Sequence, residues 1–230
     1  MNVLSIETAT EHGSVALLAG GALLSRRIHG AANHSEAVLR DVRAVLAEAG
    51  LAATQLDAVA FGAGPGAFTG LRLGCGVAQG IALGADLGVA AVCSLQALAL
   101  QVPAPRVLVA TDARMGEMYH ATYELDGDGL PVALNGPRCD APGAFELPPG
   151  DWFAAGSAFA AWPEELEART LGRLTGCRPD LVPRADEVAR LGAAMALRKE
   201  LVAAEYALPL YVRDKVAFTT AERLARGGRA

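Results

Sequence analysis

Two stretches about a hundred residues apart carry one pattern, and a duplication of that kind restricts the fold more than any single motif does. Val3-Leu4-Ser5-Ile6-Glu7-Thr8-Ala9 and Leu108-Val109-Ala110-Thr111-Asp112-Ala113-Arg114 are each an apolar run closed by an acid. A polar turn containing a glycine follows each (Gly13, Gly116), then a further run, Ser14 to Leu18 and Glu117 to Leu125. Short apolar runs bounded by turn residues read as buried strands. Two equivalent strand–acid–turn–strand units imply two related lobes. An acid at the end of a strand can face a cleft between lobes and hold a metal–phosphate complex. The plainer reading of each is a solvated turn acid. Glu7, Thr8 and Asp112 are the candidate cofactor-binding residues on this basis.

The remaining pattern is α/β. Ala22 to Ile28 completes a three-stranded meander. The signal Asn33-His34-Ser35-Glu36 opens a helix that runs to Ala49, with Val38, Leu39, Val42, Val45 and Leu46 on one face and Gly50 as its stop. Leu56 to Phe61 and Val89 to Val92 read as strands, Thr69 to Gly84 and Ser94 to Gln101 as helices. Val102-Pro103-Ala104-Pro105 excludes regular structure, since two prolines in four residues remove backbone donors. It divides the chain into an N-terminal lobe at 1–102 and a C-terminal lobe at 106–222, with 223–230 as a frayed tail. In the second lobe Arg106 to Thr111, Glu117 to Leu125 and Asp151 to Ala155 are predicted strands. Leu166 to Leu174 and Asp186 to Leu201 are predicted helices, and 131–150 reads as irregular surface.

Composition narrows the function classes. A chain of 230 residues, 52% apolar, can bury a substantial core. A net charge of −5 argues against a stand-alone nucleic-acid binder, which needs surplus Lys and Arg for phosphates. Cys75, Cys93, Cys139 and Cys177 form no C-x-x-C pair and read as reduced thiols of a cytoplasmic protein. The start MNVLSIETAT lacks a basic segment followed by an apolar run, so it is no signal peptide. The softest stretch, Val77 to Val92, is broken by Gln79 and Asp86 and predicts no membrane span.

The stretch Gly62-Ala63-Gly64-Pro65-Gly66-Ala67-Phe68-Thr69-Gly70-Leu71-Arg72-Leu73-Gly74 leaves a strand and opens a helix. Such a loop can cradle phosphate, but no Lys follows the glycines as in a Walker loop. Gly64, Gly66, Thr69, Gly70 and Arg72 are therefore read as loop and structural residues. Within the helix, Gly70, Gly74 and Ala78 form one row, and Gly76, Gly80 and Gly84 another. A glycine inside a helix costs about 1 kcal/mol relative to alanine, so repeated glycines point to close approach of another backbone. One row suits the chain's own sheet and the other a partner helix. Gly74 and Ala78, with Leu73, Val77 and Ile81, are assigned to the partner.

The strand–acid–turn–strand layout resembles the actin-like ATPase fold. GPGAFTGLRLG, with LSIETAT at the start, DARMGEMY after the prolines and PLYVRDKVA near the end, is similar to the TsaB family. The resemblance spans nearly the whole chain. It implies a two-lobed actin-like fold with a reduced C-terminal lobe and a non-catalytic subunit. It also implies pairing with TsaD and TsaE for threonylcarbamoyl transfer to N6 of adenosine 37 in ANN-decoding tRNAs. The resemblance puts the TsaD interface on the first two helices, which adds His34, Val38 and Val42 of the first to the partner residues. The tRNA is reached through the complex, and the isolated chain is open to homodimer formation through the same helices. No cofactor is implied for the chain itself, with ATP or ADP at a subunit junction left open. Glu7-Thr8-Ala9 stands where the actin-like pattern has Asp and a glycine-bearing turn, and a longer carboxylate would crowd a phosphate.

Two other readings compete. One is an autonomous ATP-dependent phosphotransferase in which Glu7 and Asp112 bind Mg²⁺–phosphate. The other is a metallopeptidase. Against the second, His12, His29, His34 and His120 form no H-x-x-x-H pair, and neither G-x-S-x-G nor H-E-x-x-H occurs. No metal site is expected.

Overall fold

The computed structural model describes residues 1–29 and 34–213. The tail assigned to 223–230, and the end of the lobe assigned to 106–222, lie outside the described residues.

The first lobe begins as a meander of β1 (Asn2–Glu7), β2 (His12–Ala19) and β3 (Ala22–His29). Helix α1 (His34–Ala49) follows, then β4 (Ala58–Gly64), α2 (Phe68–Ala85), β5 (Val89–Cys93) and α3 (Ser94–Ala99). The second lobe repeats the meander as β6 (Arg106–Asp112), β7 (Met118–Leu125) and β8 (Pro131–Asp140). It continues through β9 (Trp152–Ala155), α4 (Ala158–Ala161), α5 (Pro163–Thr170) and β10 (Leu174–Arg178) to α6 (Ala185–Leu197).

The duplication read from two short stretches holds across both sheets. One has the order β3-β2-β1-β4-β5 and the other, from its far edge, β8-β7-β6-β9-β10. In each, the first two pairings of the meander are antiparallel, and the last two strands run parallel to the first. The lobes differ in their helices. Where the first lobe inserts the 16-residue α1 between its third and fourth strands, the second has a three-residue 3₁₀ turn, Pro142–Ala144. The second lobe is thus the reduced copy.

Three expectations need correction. The stretch at 131–150 is not wholly irregular, because its first half is β8. That strand lies on the sheet edge, where Pro137 removes no ladder hydrogen bond the sheet depends on. The helix expected at 166–174 starts earlier, with Pro163 as its first residue, and ends at Leu171, whose φ of 52° is left-handed. The strand β10 then takes up the residues beyond.

The third correction concerns the lobe boundary. α6 does not belong to the second lobe. Val188 and Leu191 pack on Val3, Ala58, Ala60 and Ala90 of the first sheet. The buried Ser5 hydroxyl donates to the Ala185 carbonyl at 2.7 Å, and the Ala185 N–H donates to Ser14 Oγ at 2.9 Å. Val202 bridges to Val89. Conversely α3 lays Leu95, Leu98 and Ala99 against Val107, Val109, Ala121 and Tyr123 of the second sheet. Each lobe lends a helix to the other, so a cut at 102–106 follows the chain but not the cores. Among the described residues no helix is long and apolar enough to cross a membrane.

Candidate functional site

The loop from β4 into α2 forms a seat for the β1–β2 turn. A Cβ added at Gly62 would run into the Glu7 carboxylate, at Gly66 into the Ala9 carbonyl, and at Gly70 into the Thr8 carbonyl. At Gly74 it would lie 2.7 Å from Thr8 Oγ1. Four glycines spaced by four residues thus receive three consecutive residues of the turn. The Ala67 N–H donates to the Ala9 carbonyl at 2.7 Å, and the Thr8 hydroxyl donates to the Gly70 carbonyl at 2.8 Å.

This seating overturns the cofactor assignment for Glu7 and Thr8. Both are buried, and neither lines the cleft. Glu7 Oε1 accepts the Ala9 N–H at 2.6 Å, and Oε2 accepts the Ser94 hydroxyl at 2.8 Å. The Gly64 N–H reaches the same Ser94 oxygen at 3.2 Å. Burial pushes the Glu7 carboxyl above its ordinary range, and those hydrogen bonds oppose the shift. Glu7 is a strut joining β1, β4 and α3. A carboxylate long enough to reach Ser94 turns into the protein, away from the cleft.

Asp112, at the equivalent point of the second lobe, does line the cleft, a cavity of about 680 Å³ between the lobes. Its Oδ1 accepts the Arg114 N–H at 2.7 Å, its Oδ2 lies 3.0 Å from the Arg114 guanidinium, and its own N–H donates to Ser157 Oγ at 3.0 Å. The structure therefore does not bring the three proposed cofactor residues together. The cations of the cleft wall are already matched: Arg114 by Asp112, and Arg213 by Glu117. Among the described residues no three His, Cys, Asp or Glu side chains group as metal ligands.

A strap crosses the cleft mouth, and the sequence reading missed its role. The Leu210 N–H donates to the Ala63 carbonyl at 2.7 Å. Tyr211 lies beside Phe68, centroids 5.6 Å apart, and Arg72 lies 3.8 Å over the Phe68 ring while its Nε–H donates to the Tyr211 hydroxyl at 3.2 Å. Two residues on, Arg213 donates to the Ala113 and Arg114 carbonyls and pairs with Glu117 at 2.6 Å. Residues 210–213 therefore tie the glycine loop of one lobe to the acid turn of the other. The aromatic and the arginine two residues apart in Tyr211-Val212-Arg213 were the available signal, but nothing local says what they reach.

The partner assignment also changes. Gly74 and Ala78 are buried against this chain's own sheet, and Val38 and Val42 are core residues of α1. A helix lying flat on a sheet must turn its smallest residues toward the strands, so the Gly70–Gly74–Ala78 row points inward. Leu73, Val77 and Ile81 pack half-buried along the α1 side. The side chain of His34 lies outside the described residues. The outward face of α2 carries Gly76, Gly80 and Gly84, where an added Cβ meets no described atom within 4 Å. Leu83, 77% exposed, stands among them, and Leu39 of α1 is 46% exposed. Thr69 is exposed at the first turn of α2.

Two lobes of like topology, swapped helices and an interlobe cleft define a protein of the actin-like fold. A model of the TsaD family, tRNA N6-adenosine threonylcarbamoyltransferase, matches residues 29–220. The chain is 35% identical to the Escherichia coli tRNA threonylcarbamoyladenosine biosynthesis protein TsaB, over 95% of this chain and 97% of that one. Its Haemophilus influenzae counterpart of the same description is 33% identical, over 94% and 95%. Among solved structures, YeaZ from Pseudomonas aeruginosa superposes with a TM-score of 0.84 at 37% identity, covering 91% of this chain and 99% of that one. Another structure from that organism, described as similar to peptidase YeaZ, gives 0.86 at 37% identity, covering 92% and 99%. The chain belongs to the TsaB family, within the TsaD-type proteins.

Proposed function

We propose that this chain is a non-catalytic, cytoplasmic subunit of tRNA threonylcarbamoyladenosine formation. It pairs with TsaD, and TsaE joins the pair. The tRNA is engaged through the complex, and the transfer to adenosine 37 takes place on TsaD. The observation that carries this reading is the exposed row Gly76–Gly80–Gly84. Glycines on an open helix face weaken the helix and meet no described atom of their own fold within 4 Å, so their use is close approach of a partner helix. The apolar Leu83 and Leu39 beside them gain by being covered. The buried Glu7 supports the absence of catalysis, since a metal–phosphate complex in the cleft would meet only Asp112 of the two repeated acids.

Co-purification with TsaD tests it. Gly80→Phe should lose TsaD while the free chain keeps its melting temperature, whereas full retention of pairing would remove the interface. Titrating the isolated chain with Mg²⁺–ATP tests the phosphotransferase reading. Tight magnesium-dependent binding, lost in Asp112→Ala, would overturn the non-catalytic assignment.

A further inference from the structure

A second cavity lies away from the cleft, on the face of the second sheet that also carries Leu108 and Met118. It has a volume of about 180 Å³. The share of one water in the liquid is about 30 Å³, so the space holds about six waters or a molecule of comparable size. Its floor is formed by β7. His120 and Thr122 are two residues apart and so share a face, and both are buried. The His120 ring packs edge-on against Phe145, centroids 5.0 Å apart, and its Nε2 lies 2.8 Å from Asp140 Oδ2. An ionised carboxylate can only accept, so Nε2 carries the proton and donates it to Asp140. Thr122 is 98% buried and lines the cavity, and its hydroxyl, closed off from solvent, has no hydrogen-bond partner among the described residues.

The edge strand is shaped around this floor. His120 faces Arg138, but Thr122 faces Asn135, so two residues of β7 span three of β8. In an unbroken strand Arg138 and Asp140 would share a face with Gly136. The bulge puts Asn135 there instead, beside the orphan hydroxyl. Bulges re-aim side chains in this way next to binding sites. The rim then carries opposite charges: Arg138 against Asp140 and Glu146. No described residue pairs with Arg138 or Glu146.

We infer that this pocket binds a small zwitterion of the α-amino-acid type. An anion alone would meet two carboxylates, and a cation alone would meet the guanidinium. A molecule carrying both charges a few atoms apart satisfies each side. A metal is not favoured, since His120, Asp140 and Glu146 do not converge as a ligand set. The site is independent of the α2 surface, so its failure would leave the proposed pairing with TsaD untouched.

The test follows the His120 ring C–H resonance of the full chain by NMR, assigned with His120→Asn. The probes are glycine, L-serine, L-threonine and L-aspartate, with acetate and methylammonium as single-charge controls. At least one zwitterion should give a saturable shift with an affinity about tenfold or more above either control. Arg138→Gln, on the exposed rim, should abolish it with an unchanged circular dichroism spectrum. The inference fails if no zwitterion gives a saturable shift. It also fails if acetate or methylammonium binds as well as the zwitterions, or if Arg138→Gln binds like the parent chain.

Discussion

The two acid turns began as equivalent points of one repeat and now serve different ends. In the first lobe, Glu7-Thr8-Ala9 is pressed into a seat of four glycines, and its carboxylate is held by Ala9 and Ser94. In the second lobe, Asp112 stays at the edge of an open cleft, with Ser157 and Arg114 as its neighbours. One turn has become part of the core and the other has remained surface. A cleft needs both walls to act on a ligand. Here the acid of the first wall is buried, although Ala9, Thr10, Glu11 and His12 of the same turn still line the cleft.

The comparison breaks most readily at the glycine seat. Gly70→Ala drives a methyl into the Thr8 backbone, which cannot yield without moving β1, and should cost about 3 kcal/mol or more in denaturant unfolding. Glu7→Ala comes next. It leaves the buried Ala9 N–H and Ser94 hydroxyl without an acceptor and opens a void, and should cost about 2 kcal/mol. A pH series sharpens the point. The Glu7 carboxyl is held by burial above its ordinary value of 4.5, so the folded state keeps this proton to higher pH than the unfolded chain does. Its contribution to stability is complete below that value and is lost as pH rises toward the folded value. Glu7→Gln should flatten this stretch of the stability curve; a slope identical to that of the parent chain would place its source elsewhere.

Smaller effects belong to the strap, the helix face and the second turn. Arg213→Ala releases the Ala113 and Arg114 carbonyls and the Glu117 pair, and should cost about 1 kcal/mol while raising hydrogen exchange in the β6–β7 turn. Gly80→Ala meets no described atom within 4 Å and should stabilise the isolated chain by about 0.5–1 kcal/mol, while weakening the proposed pairing with TsaD. Opposite signs for Gly70→Ala and Gly80→Ala would establish that the two rows of α2 differ in role. Asp112→Asn keeps the turn's hydrogen bond from Arg114 and should change stability by less than about 0.5 kcal/mol.

Much of the architecture was legible because it is written in local pattern. Short apolar strand runs, the amphipathic face of α1 and the doubled acid turn each reflect forces acting within a few residues, and they lie where the pattern puts them. The elements that were misread depend on distant partners. β8 has Gly136 and Pro137 within it and is held as a strand only because β7 lies beside it. α6 follows second-lobe sequence yet belongs to the first core, since Ser5 and Ser14 receive its first turn. The site was misread for the same reason. Sequence placed Glu7 beside a turn, but Ser94 and Gly62, far along the chain, decide that it is buried.

The sequence alone determined that there are two related lobes, that α2 carries two rows of small residues, and which family the chain resembles. Periodicity, glycine cost and motif order are properties of the chain itself. Tertiary structure decided which row of α2 faces inward, which of the two acids still sees the cleft, and which lobe owns α6. Those choices turn on how a helix is rotated about its axis when it meets a sheet, and on which buried groups find partners across long stretches of chain. Neither is fixed until the lobes have packed.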